Sequence, residues 1–178
     1  MENDIFSFLP KRKNNRLEAY RYSQIGAFFI TICSHQRQNR FSRIVGAIHE
    51  SPANQLTPYG HIIKNSIESI PSRFPNVSVD SYVIMPNHVH LVLSIKDYER
   101  AIHESPLRVR STISKAIGFM KASASKSIHR QLREGSVWQR SYHDHIIRDR
   151  HEYRRIAAYV ANNPLFWQKD CLYQENEG

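Results

Sequence analysis

The sequence predicts an α+β domain: an antiparallel sheet built in β-α-β-β-α-β order with helices on one face, followed by one more helix at the C-terminus. Three observations predict it. Ala27-Phe28-Phe29-Ile30-Thr31-Ile32-Cys33 is a run of β-branched and aromatic residues. Two strand-like runs flank the turn residues Pro86-Asn87. Two stretches repeat apolar residues every three or four positions, the helical period.

Each element has its own signal. The run at 27–33 lies between Gly26 and the polar stretch Ser34 to Arg40, which bounds a strand. Thr57-Pro58 is a helix start, with Thr57 as cap and Pro58 in the first position. Tyr59, Ile62, Ile63, Ile67 and Ile70 then form one apolar face, and Pro71 and Pro75 end that helix. Val77 to Met85 and His88 to Ile95 read as an antiparallel hairpin. Ile113, Ile117, Met120, Ala124, Ile128 and Leu132 mark the buried stripe of a long helix closed by Gly135. Val137 to Ile147 reads as the last strand. Asp149 with Glu152 resembles a capping box that opens the terminal helix, and Pro164 stops it. Residues 44–55 and 96–106 read as loops. This order is the split βαβ, or ferredoxin-like, arrangement, which hosts many activities and names none.

Bulk properties narrow the classes. The 178 residues are 40% hydrophobic, enough for one domain with a core and too apolar for wholesale disorder. There is no apolar run near the roughly twenty residues needed to span a bilayer, and Met1-Glu2-Asn3-Asp4 lacks the order of a secretory signal. Cys33 and Cys171 form no CxxC pair and read as two reduced thiols, so the expected setting is cytoplasmic. Lys and Arg outnumber Asp and Glu 25 to 16, a formal charge of +9. That excess favours a polyanion, and nucleic acid leads. The hexapeptide Ala-Ile-His-Glu-Ser-Pro occurs at both 47–52 and 101–106, and no function follows from it.

The sharpest local signal is Met85-Pro86-Asn87-His88-Val89-His90-Leu91. Side chains alternate along a strand, so His88 and His90 share one face and Val89 and Leu91 the other. Two imidazoles on a strand covered on both faces suit a divalent metal better than two uncompensated buried histidines. A third ligand must come from elsewhere. On the terminal helix, Glu152, Ile156, Tyr159 and Asn163 fall along one stripe, beside the apolar stripe of Tyr153, Ile156, Ala157 and Val160. Tyr159 is either a packing residue at the core edge or a reactive phenol there. Asn163 is either a cap ahead of Pro164 or an oxygen ligand, and Glu152 a cap partner rather than a ligand. His143 and His145 alternate on a strand with a charged centre and read as a solvated face. Arg140 and Arg148, with Trp138 and Tyr142, suit phosphate pairing and base stacking.

Taken together, the series Asn15-Arg16-Leu17, Tyr22-Ser23, Gly26 to Cys33, Phe74-Pro75-Asn76-Val77, Tyr82 to His90, Trp138 to Asp144 and Tyr159-Val160-Ala161-Asn162-Asn163-Pro164 resembles the single-tyrosine HUH transposases, in particular the REP-associated tyrosine transposases. The match runs roughly from Lys11 to Trp167, and His-hydrophobic-His joined to Tyr-x-x-x-Asn-Pro is its specific part. The polar, basic stretch around Lys11-Arg12-Lys13-Asn14-Asn15-Arg16 reads as an N-terminal arm over residues 1–22, and the resemblance implies a single catalytic HUH domain over 23–178. It implies a transposase that cleaves and rejoins single-stranded DNA near hairpin repeats through a covalent phosphotyrosine. It implies Tyr159 as nucleophile, and His88, His90 and Asn163 as ligands of Mg2+ or Mn2+. The DNA contacts are expected from Lys11, Arg12, Arg16, Tyr22, Arg140 and Arg148, and the assembly is expected to be a monomer or homodimer with no membrane partner. Two other readings compete: a non-catalytic single-stranded nucleic-acid module with the same element order, and a metal hydrolase that uses water.

Overall fold

The computed structural model describes residues 26–46, 53–96, 106–133 and 135–174. In chain order its elements are β1 (Ala27–Cys33), β2 (Ser42–Val45), β3 (Ala53–Leu56), α1 (Pro58–Glu68), the single turn α2 (Ile70–Arg73), β4 (Val77–Ile84), β5 (His88–Ile95), α3 (Pro106–Leu132), β6 (His143–Ile147) and α4 (Arg150–Asn162). A 3-10 helix, Asn163–Lys169, continues directly from α4. The arm at 1–22, with Lys11, Arg12, Arg16 and Tyr22, lies outside the described residues, as do both hexapeptide copies up to Pro106.

The main sheet is antiparallel, in the order β4-β5-β1-β6. Counting only its four strands in sequence, the order is 2-3-1-4, the ferredoxin-like arrangement expected from the element pattern. β1 lies in the middle, with Ala27 to Cys33 paired to Ser94 to His88 on one side and Ala27 to Thr31 paired to Ile147 to His143 on the other. All seven residues of β1 are buried, which is why its sequence is a nearly continuous apolar run, Thr31 excepted, rather than alternating.

The two faces of the sheet carry different cores. Phe28, Ile30, Ile32, Val89, Leu91 and Leu93 pack with Ile63 and Ile67 of α1 and with Ile113, Ile117, Met120, Ala124 and Ile128 of α3. Ala27, Phe29 and Val92 pack instead with Ile156 and Val160 of α4 and with Trp167. Each fully buried aliphatic side chain contributes about 1.5–3 kcal/mol, so α4 is held to the sheet by a handful of residues, and His88 and His90 lie on the face it covers. No helix of the described residues is long and apolar enough to cross a membrane.

Four expectations about elements change. Residues 44–55 are not a plain loop, because β2 and β3 pair as a small second sheet from Ser42↔Leu56 to Val45↔Ala53. Its residues are half exposed and lack an apolar face, so the pairing left no periodic trace. The last strand is shorter than 137–147: Trp138 makes one isolated bridge to Ser34, then packs on Phe41 and donates its indole N–H to the Lys121 carbonyl. α3 closes before Gly135, with Arg133 in the left-handed region at φ 53° and its N–H on the His129 carbonyl. Pro164 does not stop the chain's helical course: Asn163 keeps helical angles, and the proline sits in the first turn of the 3-10 helix, where no donor N–H is needed.

The start of α1 is as expected, and it locks the second sheet to the first layer. Thr57 accepts from the Gly60 N–H, while its own hydroxyl and N–H both reach the Phe41 carbonyl. Gly60 is buried beneath that carbonyl, and a Cβ there would run into it. Gly60→Ala is therefore expected to cost about 1–3 kcal/mol, the usual penalty of overpacking. Urea unfolding should show a lower midpoint with an unchanged slope; an unchanged midpoint would show that the turn yields without cost.

Candidate active site

Two backbone devices place the histidines. Asn87 ends the β4–β5 turn, where the Ser34 N–H binds the Asn87 carbonyl and the Arg40 and Phe41 N–H groups bind the Pro86 carbonyl. β5 then starts at His88, opposite Cys33, and the strand alternation brings His88 and His90 to the α4 side. Both are buried, 0% and 1% exposed. Their Nε2 atoms are 3.0 Å apart.

Each ring is oriented from behind. The Asn87 amide donates through Nδ2 to the Leu172 carbonyl at 2.7 Å, so its Oδ1 faces His88 Nδ1 at 2.8 Å. A carbonyl oxygen only accepts, so His88 must carry its proton on Nδ1 and present a bare lone pair at Nε2. His90 Nδ1 meets Thr31 Oγ1 at 2.9 Å, with the Phe29 ring 5.0 Å from its own. Burial pushes His88 down to about 3, helped by the Arg37 charge. Burial, then the neighbouring imidazole, also holds His90 well below its ordinary value. Both rings are neutral bases at pH 7, the form a metal requires.

α4 brings in the phenol. Asp149 caps the helix by accepting from the Glu152 N–H at 2.8 Å, and Glu152 reaches back to the Arg148 N–H at 2.6 Å. Two turns on, the Tyr159 hydroxyl lies 3.3 Å from His90 Nε2 and donates to Asp170 Oδ2 at 3.1 Å. Asn163, one further turn along, donates from Nδ2 to the same Asp170 oxygen at 2.9 Å. Its Oδ1 is a buried acceptor without a hydrogen-bond partner.

Asp170 is the residue that the motif reading missed. It follows the 3-10 helix, 6% exposed, with Oδ1 accepting from the Leu172 N–H at 2.7 Å and Oδ2 4.0 Å from His88 Nε2. No periodicity or spacing marks it, because only the turn of the chain after Pro164 returns it to the sheet. Among the described residues, His88, His90 and Asp170 form a group able to hold a metal ion, with donor atoms within 4.8 Å of one another. Burial, then the Asp170 charge and hydrogen bond, hold the Tyr159 phenol well above its usual value.

The other expected residues are spread out. Glu152 is not at the centre: it pairs with His145 at 2.8 Å, so His145 is not simply solvated, while His143 is exposed. Arg140 and Arg148 are exposed. Arg140 follows Gln139, whose N–H binds the Cys33 carbonyl, so it lies at the His88 end of the sheet. Arg148 follows Ile147, the partner of Ala27, at the opposite end. Trp138 and Tyr142 are half-buried and pack against the α1–α3 core.

No family profile matches the chain. An uncharacterised protein of Haemophilus influenzae is 36% identical over 172 residues, covering 91% of this chain and 93% of its own length. A second protein of that organism, assigned to the REP-associated tyrosine transposases, is 24% identical over 147 residues, covering 81% of this chain and 73% of its own length. The fold matches the solved structure of a REP-associated tyrosine transposase bound to a REP hairpin, with a TM-score of 0.53 at 16% identity, over 88% of this chain and 73% of that one. The chain therefore shares the fold of a REP-associated tyrosine transposase and is similar in sequence to a protein assigned to that group. Within that fold, the segment 163–172 is fastened beside this chain's histidine pair by the Asn87–Leu172 and Asn163–Asp170 hydrogen bonds.

The buried neutral imidazoles set a pH dependence. A histidine whose folded pKa is depressed binds fewer protons in the native state, so stability falls as pH drops below the unfolded value of about 6.5. The metal-free protein should lose up to about 1.4 kcal/mol per pH unit for each such imidazole between roughly pH 6.5 and 5. Urea midpoints measured at pH 7 and 5 test this, and the loss should shrink in His88→Gln. A pH-flat midpoint would contradict buried neutral rings.

Proposed function

We propose that the protein is a metal-dependent endonuclease and strand transferase for single-stranded DNA, acting beside hairpin repeats through a covalent bond to Tyr159. The observation that carries this reading is the convergence of the Tyr159 hydroxyl, the two imidazole Nε2 atoms and the Asp170 carboxylate within one buried cluster. A hydrolase that used water would have no need of a phenol held there. A nucleic-acid module of the RNA-recognition type would present exposed aromatics on the central strands, whereas β5 presents buried histidines.

The residues fit a divalent metal. His88 offers a bare Nε2 fixed by Asn87, and the 3.0 Å between the two Nε2 atoms suits adjacent ligands at metal–nitrogen lengths of about 2.0–2.1 Å. Asp170 supplies an anionic oxygen, and the orphaned Asn163 Oδ1 supplies a neutral one. Two imidazoles with oxygen donors suit Mn2+, and Mg2+ by way of the oxygens. A bound ion would supply positive charge to a scissile phosphate and to the oxygen that leaves it.

The chain's own residues supply the rest. In the metal-free site the phenol is neutral and hydrogen-bonded to Asp170, so it is aimed but not ionised. Asp170 Oδ2 is the acceptor for its proton as the Tyr159 oxygen attacks phosphorus. The phosphorus–O3′ bond breaks, the phosphate becomes attached to Tyr159, and the departing 3′ oxygen takes a proton from solvent. The ester energy stays in the phosphotyrosine, so a second 3′-hydroxyl can reverse the step and rejoin DNA. Phe29, at 6.1 Å edge-on from Tyr159, and Val160 beside it keep the phenol's rotamer fixed.

The test is a covalent adduct. Single-stranded hairpin oligonucleotides from the flanks of the gene, incubated with the protein and Mn2+, should give a complex stable to denaturing electrophoresis. Tyr159→Phe should abolish it, and peptide mass mapping should place the nucleotide on residue 159. Asp170→Asn should weaken Mn2+ binding at least about tenfold, as loss of an anionic ligand does. Cleavage without any adduct would favour the water-using hydrolase.

A further inference from the structure

The turn between β1 and β2 carries strain that the fold does not explain. Gln36 and Arg37 both have left-handed backbone angles, φ 54° and 55°, although neither is glycine. Such residues cost free energy and persist only where their surroundings hold them. Here the surroundings do so closely. Ser34 donates its N–H to the Asn87 carbonyl at 2.8 Å and its hydroxyl to the Gln38 carbonyl at 2.8 Å. The His35 N–H binds the Val137 carbonyl, and the Arg37 and Gln38 N–H groups close the turn on Ser34 and His35. The turn is thus tied at one end to the residue that orients His88 and at the other to the segment before β6.

What the strained turn presents is an arginine. Arg37 is exposed, and no carboxylate among the described residues pairs with it. It lies four residues after Cys33, the strand partner of His88, at the His88 end of the sheet. Its positive charge is felt at His88, at Cys33 and at Cys171 next to Asp170. A cation without a carboxylate partner among the described residues, on a hydrogen-bonded turn beside a site of buried neutral bases, has the placement of an anion-binding group, and the planar guanidinium fork matches phosphate oxygens.

We infer that Arg37 is a phosphate-binding residue of this site, gripping the non-bridging oxygens of the DNA phosphate that Tyr159 attacks. The inference rests on the phosphotyrosine reading and names a group that the histidine and tyrosine motifs leave out. The left-handed turn holds that residue at the His88 end of the sheet, and the hydrogen bonds of Ser34 and His35 sustain it.

The experiment uses the full-length protein, Mn2+ and a hairpin oligonucleotide from the gene's flanks, carrying either a normal or a methylphosphonate-substituted scissile phosphate. Wild-type adduct formation decides the phosphotyrosine reading: no adduct removes that reading and this inference with it. Given an adduct, Arg37→Ala should slow its formation roughly 10- to 100-fold, the loss of a charge-assisted bidentate contact. Arg37→Lys should restore only part of the rate. Its Mn2+ affinity and thermal midpoint should stay near wild type, and Gln36→Gly, which relieves strain but keeps the guanidinium, should cleave at close to the wild-type rate. Neutralising one phosphate oxygen should cost Arg37→Ala far less than it costs wild type, because the partner is already gone. Equal methylphosphonate penalties in both proteins, or an Arg37→Ala rate equal to wild type, would overturn the assignment while leaving the phosphotyrosine reading intact.

Discussion

Two neutral imidazoles buried side by side on the central strand are the constraint around which the rest of the structure is arranged. Burying them without partners would be costly, and every neighbouring element contributes to removing that cost. The β4–β5 turn supplies Asn87, β1 supplies Thr31 and Phe29, α4 supplies Tyr159, and the 3-10 helix supplies Trp167 and delivers Asp170. The chain beyond α4 is fastened to the same cluster through the Asn87–Leu172 and Asp170–Leu172 hydrogen bonds. The histidines therefore act as an organising centre for both layers on that face.

The same arrangement explains how one site can hold a phenol ready without spending it. Asp170 is shared: it accepts from Tyr159 and Asn163 and faces His88 at 4.0 Å. While its charge is directed at the phenol, ionisation of Tyr159 is disfavoured. Under the proposed function, a cation held by the imidazoles would compete for that carboxylate, which would couple readiness of the phenol to occupation of the site. In the proposed function, idle protein keeps a neutral tyrosine, and reactivity follows from the metal and the substrate together.

Much of the fold was legible in the sequence because its core elements are strongly periodic. The seven buried residues of β1, the hairpin around Pro86-Asn87, and the stripe from Ile113 to Ile128 each follow from pattern alone. The placement of His88 and His90 on one face, opposite Val89 and Leu91, follows from strand alternation. What escaped was whatever tertiary closure decides. β2 and β3 are short and half exposed, so nothing periodic announces their pairing. Trp138 and Tyr142 read as surface aromatics but are drawn onto the α3 layer. Asp170 is 82 positions from His88 in sequence (170 against 88) and joins it only after the 3-10 helix turns the chain back. Arg37 was one cation in a polar run until backbone strain distinguished it.

In the proposed function, His88 and His90 share a metal ion within reach of Tyr159. Crystals grown with Mn2+ and measured at the manganese absorption edge test it directly. An anomalous peak is expected at about 2.0–2.3 Å from both Nε2 atoms, with an oxygen of Asp170 or Asn163 completing the set and the Tyr159 hydroxyl facing the ion. An ion bound elsewhere, with the two imidazoles still hydrogen-bonded to each other, would contradict it.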